Sequence, residues 1–220
     1  MRLYELGNIY LPKQVPVTEL PEERMQFTLG MYGEGDFFTM KGVIEEFLYK
    51  AGMKLKPEYD PEAGKPFLHP GRQANVVYDG TVIGYLGEVH PTVAANYAIK
   101  ERVYVAVLDM PEIVSHASFD HKYEGIAKFP AAARDISMVV PKKVLAGDIE
   151  KIFDEKGGQF LEKYDLFDIY EGAQIEKGFK SMAYSLVFRH HDKTLEEAEI
   201  TAAMKKILNG LTALGIELRS

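Results

Sequence analysis

At 220 residues, 46% hydrophobic and 27% charged, the chain has the composition of a globular protein, long enough for two modest domains or one large one. It has no Cys, which excludes disulfides and thiolate metal sites and fits a cytoplasmic setting. A net charge of −7 argues against a general phosphate-gripping surface, no apolar run is long enough to span a membrane, and the opening Met1-Arg-Leu-Tyr-Glu5 has no signal-peptide core.

Leu3–Tyr10 and Met25–Tyr32 predict strands, joined by a connection holding Pro12, Pro16 and Pro21. Gly33-Glu-Gly-Asp36 breaks the pattern, and Asp36 suits a helix N-cap because its carboxylate accepts from first-turn amides. Met40, Val43, Ile44, Phe47, Leu48 and Ala51 follow with helical spacing, and Gly52 is expected to stop the helix. A Pro- and Gly-rich loop ending in Phe67-Leu-His-Pro-Gly-Arg-Gln-Ala74 leads into apolar runs on either side of Asp79-Gly80. That dipeptide predicts a type I′ hairpin turn, which needs positive φ at both central residues. Pro91 suits the first turn of a short helix to about Ala98, and Val103–Leu108 is a further strand. Arg2 to about Pro111 therefore reads as an antiparallel or mixed sheet with a few helices.

Ser115–Phe129 carries little periodicity and reads as a connection, giving domains over 1–114 and 130–220 with a linker at 115–129. Next come strand Asp135–Val140, helix Gly147–Lys156, strands Phe160–Tyr170 and Lys180–Arg189, helix Leu195–Leu214 and a short strand at Ile216–Leu218. Thr194-Leu-Glu-Glu197 reads as a capping box for the second helix, and Gly215 closes it. The β-α-β-β-α-β order predicts a ferredoxin-like α+β domain, with helices on one sheet face and the other face free. Strand alternation turns Phe167 and Ile169, Met182, Tyr184, Leu186 and Phe188, and Ile136, Met138, Ile216 and Leu218 inward. It turns Asp168, Tyr170, Ser181, Ser137 and Arg219 toward the open face. An aromatic ring beside a carboxylate and a hydroxyl suits an unpaired base; a solvated face with a scattered Tyr is the alternative. The net charge is −1 from Gly125 onward and −6 before it, so a nucleic-acid contact belongs to the C-terminal part.

Six segments in chain order carry a resemblance: Asp36-Phe-Phe-Thr-Met-Lys-Gly42, His69-Pro-Gly-Arg-Gln-Ala74, Gly84-Tyr-Leu-Gly-Glu-Val-His-Pro91, Phe129-Pro-Ala-Ala-Ala-Arg-Asp-Ile136, Phe167-Asp-Ile-Tyr-Glu-Gly172 and Lys180-Ser-Met-Ala-Tyr-Ser-Leu186. Together they resemble the C-terminal part of the bacterial phenylalanyl-tRNA synthetase β subunit. The resemblance implies a degenerate class II synthetase-like sheet domain followed by a ferredoxin-like anticodon-binding domain, in a fragment of a several-fold longer subunit. It also implies that Asp168, Tyr170, Ser181 and Arg219 meet the anticodon of tRNA(Phe). Catalysis, with its ATP and Mg, is expected on the α subunit of a cytoplasmic heterotetramer, and no cofactor is expected on this piece. The implied partners are that α subunit and tRNA(Phe), with neither membrane nor DNA. The chain departs from the family at Ala133, where a second Arg usually precedes Arg134-Asp135.

The residues themselves offer little other chemistry. The ATP-holding class II motifs, Phe-Arg-x-Glu and Gly-x-Gly-x-Gly-x-Arg, are missing, and Gly33-Glu-Gly35 reads as a turn. His69-Pro-Gly-Arg72 reads as a packed loop more readily than as a phosphate grip, and Glu88 with His90 carries no catalytic signature. His116 with His121, and His190 with His191, lack further ligands at metal spacing and read as exposed loop pairs. No catalytic or metal-binding residue is therefore predicted. The expected function is a non-catalytic tRNA-binding and assembly role, with a protein-docking module as the alternative, since the ferredoxin-like fold serves both. An autonomous small-molecule enzyme lacks any motif.

Overall fold

The computed structural model of the protein describes residues 1–120, 123 and 125–219 and divides into two units, Met1–Lys122 and Tyr123–Ser220. The first contains β1 (Arg2–Leu11), β2 (Glu22–Tyr32), α1 (Phe37–Lys50), β3 (Glu58–Asp60), β4 (Leu68–Tyr78), β5 (Thr81–Val89), α2 (Pro91–Asn96), β6 (Val103–Asp109) and α3 (Met110–His116). The six strands form one antiparallel sheet in the order β1-β2-β6-β5-β4-β3. Leu29, Ala106, Leu86 and Ala74 lie in one row across it. They share a core with Met40, Ile44 and Leu48 of α1 and Ile113 of α3.

Local chemistry sets these elements. Asp36 caps α1 by accepting from the Thr39 amide at 2.7 Å, while the Thr39 hydroxyl accepts from the Asp36 amide at 3.2 Å. Asp79 and Gly80 have φ of 48° and 74°, as the β4–β5 turn requires. Helix α3 is an addition to the sequence reading, which took Pro111 as an end. Proline also suits a first helical turn, and here Asp109 caps the helix by accepting from the Glu112 amide at 3.4 Å. Ser115 and His116 thus belong to a helix.

The second unit contains β7 (Ala132–Pro141), α4 (Ala146–Lys156), a 3₁₀ turn at Gly158–Phe160, β8 (Leu161–Tyr170), β9 (Phe179–Phe188), α5 (Glu197–Ala213) and β10 (Glu217–Leu218). The sheet order β10-β7-β9-β8, antiparallel throughout, is that of the ferredoxin-like fold. Ile136, Met138, Val140, Met182, Tyr184, Leu186 and Phe188 line the helix side with Ile149 and Phe153 of α4 and Ile207 and Leu211 of α5.

Three expectations need correction. Helix α5 begins two residues later than Thr194 would set it. The N-cap is Glu196, whose amide donates to the Glu199 carboxylate at 3.0 Å. Leu195 and Ile200, on either side of that cap, both pack into the core in the positions of a hydrophobic staple, which fixes the entry of the chain there and leaves Thr194 exposed. Phe167 and Ile169 are not a buried pair: they are 58% and 51% exposed. Leu166 pairs with Tyr184 and Asp168 with Ala183, so Phe167 is the extra residue of a β-bulge at this edge strand. Ile169, opposite Met182, lies on the helix side but beyond the helices' cover. Leu218, opposite Met138 on a two-residue edge strand, is likewise exposed.

Candidate nucleic-acid interface

Paired residues of adjacent strands share a sheet face, so the register states what stands on the open side. One row runs Glu217, Val139, Ser181, Tyr170. The next runs Ser137, Ala183, Asp168, and the Arg219 amide donates to the Ser137 carbonyl at 2.8 Å at its margin. Asp135 and Asp165 flank Ser185 in the row after that. Asp168, Tyr170, Ser181 and Arg219, the four residues predicted from sequence, are therefore brought together on one face.

Their surroundings differ. Ser181 is only 4% exposed, although it is on the open side. Its hydroxyl accepts from Arg219 Nη1 at 3.4 Å, and Arg219 Nη2 donates to Gln174 Oε1 at 3.3 Å. Tyr170 is 38% exposed. Asp168 is exposed and makes no side-chain hydrogen bond or ion pair among the described residues. The β8–β9 loop that carries Gln174 is tied down at both ends: Glu171 pairs with Lys142 at 2.5 Å, and the Lys142 amide donates to the Gly178 carbonyl at 2.9 Å. The hydrogen bond and charge of Lys142 hold the Glu171 carboxyl below its ordinary pKa. Burial lowers the Lys180 ammonium, which donates to the Val144 carbonyl at 2.9 Å.

The face is anionic. Asp135, Asp165, Asp168 and Glu217 stand on it against Arg219 and Lys163, and Lys163 is paired with Asp165 at 3.1 Å. Arg134 points to the helix side and pairs with Glu197 at 2.5 Å. Ala133 is the open-face residue beside it, opposite Val187. Such a surface offers acceptors, a ring and one guanidinium fork, which suits base edges better than a phosphate backbone. Sequence reasoning missed Gln174, which sits in a loop without periodicity and so left no pattern to read.

In the first unit, Arg72 is already committed. Its Nη1 lies 3.0 Å from both carboxylate oxygens of Glu88, a buried group that also accepts from the Tyr104 hydroxyl at 3.2 Å. His69 and His90 each use Nδ1 to accept a nearby backbone amide, from Gly71 and Thr92. These are the bonds of a packed loop and a helix cap. His116 is half-buried, its ring 5.3 Å from that of Tyr78, and His190 lies 5.3 Å from Phe160 and accepts from the Asp192 amide. His121 lies outside the described residues. No grouping of three or more potential metal ligands occurs among the described residues.

Comparison with known proteins gives a consistent picture. Residues 1–110 match the family model described as the phenylalanyl tRNA synthetase beta chain CLM domain, and residues 127–219 match the ferredoxin-fold anticodon binding domain. The phenylalanine–tRNA ligase beta subunit of Clostridium tetani (strain Massachusetts / E88) is 42% identical over 219 residues, which cover 99% of this chain and 27% of that protein. The beta subunits of Clostridium acetobutylicum and Bacillus subtilis (strain 168) are 40% and 36% identical, over 99% and 95% of this chain and 27% of each relative. The chain thus spans about a quarter of the length of these relatives.

Proposed function

Because the chain belongs to the phenylalanyl-tRNA synthetase β-chain family, we propose that it is the non-catalytic, tRNA-binding and assembly portion of phenylalanine–tRNA ligase, acting in the cytoplasm with a catalytic α subunit. The observation that carries this reading is the convergence of Asp168, Tyr170, Ser181 and Arg219 on the free sheet face of the unit that matches an anticodon-binding family. Each has a defined task. Tyr170 offers its ring to a base splayed from the anticodon loop, a contact contributing roughly 1–3 kcal/mol. Asp168, unpaired and exposed, accepts from the amino or imino group of a purine. The Ser181 hydroxyl, already accepting from Arg219, retains its own hydrogen to donate, and the guanidinium addresses a base edge.

ATP and Mg belong, on this reading, to the α subunit. In this chain the Arg72 guanidinium donates to both carboxylate oxygens of buried Glu88. No helix among the described residues is long and apolar enough to cross a membrane.

The test is Tyr170→Ala in the complete ligase. Contacts made equally in the ground and transition states act on KM, so the variant should raise KM for tRNA(Phe) about tenfold. Phenylalanine-dependent pyrophosphate exchange should stay at its wild-type rate, and an unchanged KM would sink the proposal. A protein-docking role draws on exposed Phe167, Ile169 and Leu218 at the sheet margins. It predicts instead that α-subunit binding fails while tRNA binding to the assembled enzyme holds.

A further inference from the structure

Gly172 lies two residues past Tyr170, just beyond the end of β8. A Cβ added to it would stand 2.1 Å from the Tyr170 hydroxyl oxygen, 2.3 Å from Cζ and 2.9 Å from Cε2. Its three nearest neighbours are thus all atoms of one side chain, and they occupy the volume that any other residue at this position would need. The backbone itself makes no such demand, because Gly172 is not among the glycines with positive φ. The φ of Gly172 is compatible with an alanine, and the nearest atoms such a Cβ would displace are those of the phenol, the free end of a side chain that can turn aside.

Gly172 is also held in place. Glu171 before it is pinned by Lys142, and the Gly172 carbonyl accepts from the Ile175 amide at 3.0 Å. The tip of the Tyr170 ring therefore rests against an anchored stretch of backbone, while the strand sets its root opposite Ser181, the residue that receives Arg219. A ring fixed at both ends is oriented before any ligand arrives, and ordering that need not happen during binding does not weaken it.

We infer that Gly172 is a positioning residue: it seats the Tyr170 ring in the orientation that accepts an unstacked base. This rests on the anticodon reading of the open face. It adds a second position to that recognition, one whose side chain contributes nothing except its absence.

The experiment is a double-mutant cycle in the complete ligase, with Gly172→Ala, Tyr170→Ala and both together. Gly172→Ala should raise KM for tRNA(Phe) about five- to tenfold, with kcat at saturating tRNA and the melting temperature unchanged. In the Tyr170→Ala background the same change should have no further effect, because the space is then empty. Tyr170→Phe should not rescue it, since Cζ remains in the way. A Gly172→Ala enzyme with wild-type KM, or single effects that multiply in the double variant, would overturn the inference while leaving the anticodon reading intact. An unaltered KM in Tyr170→Ala would overturn that reading and this inference with it.

Discussion

Tyr170 and Tyr184 are the same residue type on neighbouring strands with opposite surroundings. Tyr184 is fully buried, edge-on to Phe153 with ring centroids 5.0 Å apart, and burial pushes its phenol well above the ordinary value of 10.0. This sets a pH dependence whose sign is fixed. Below pH 10 the folded and unfolded chains both keep the proton, and the buried ring contributes fully. Above it the unfolded chain releases the proton while the fold retains it, so stability falls as pH rises. Tyr184→Phe keeps the ring and removes the titration. Its melting temperature should fall less steeply above pH 10 than that of the parent chain, and parallel curves would show that another group dominates. Tyr164, raised by burial and then by its bond to Asp154, acts in the same direction and is common to both proteins. Alternation along β9 was enough to read Tyr184 as core. It was not enough for Ser181, which parity turns outward. Its burial comes from its position opposite Tyr170 and under the reach of Arg219, and no single strand contains that information.

Strand β8 shows where alternation stops being a guide. Tyr164 and Leu166 face the helices, and so would Asp168 and Tyr170 if the strand ran on unbroken. The bulge at Phe167 resets the count, and adjacent Leu166-Phe167 is the sequence mark of that reset. Strict alternation from an inward Phe167 puts Asp168 and Tyr170 on the side they occupy, but carried back it turns Asp165 inward, whereas Asp165 stands on the open face opposite Ser185. Two deletions separate the cases. Removing Phe167 leaves Asp168 to follow Leu166 and to keep its partner Ala183, so the faces are preserved. Removing Ile169 puts Tyr170 opposite Met182, on the helix side. The first should leave KM for tRNA(Phe) within about threefold of wild type and the second should raise it at least as far as Tyr170→Ala; the reverse order would refute the register. Other elements were legible for clear reasons: Asp36, Asp79-Gly80 and Pro91 each act through their own chemistry. The three-residue β3 and the seven-residue α3 are too short to carry a period.

For the whole molecule, charge is the quantity that composition shows and fold distributes. The net −7 says nothing about which face meets a partner. The register shows that even the open face of the second unit carries more carboxylates than cations. On the proposed reading, affinity there comes from stacking and from hydrogen bonds to bases, so its loss is not a loss of counterion release. Tyr170→Ala should therefore weaken tRNA binding by the same factor at low and high salt, leaving the slope of log K against log salt unchanged. A shallower slope would place a phosphate contact under that ring. Each unit has its own buried core.

The carboxylates of this face bear on a further question. A cell holds far more ribosomal and messenger RNA than any single transfer RNA, and a basic sheet would spend most of its time occupied by whichever strand drifted past. On the proposed reading, a face bearing Asp135, Asp165, Asp168 and Glu217 disfavours such strands by like-charge repulsion. On that same reading it stays vacant until other parts of the ligase deliver a loop whose bases already point outward. On the proposed reading, fidelity at this surface begins with refusal: the wrong RNA is rejected before a single base is read.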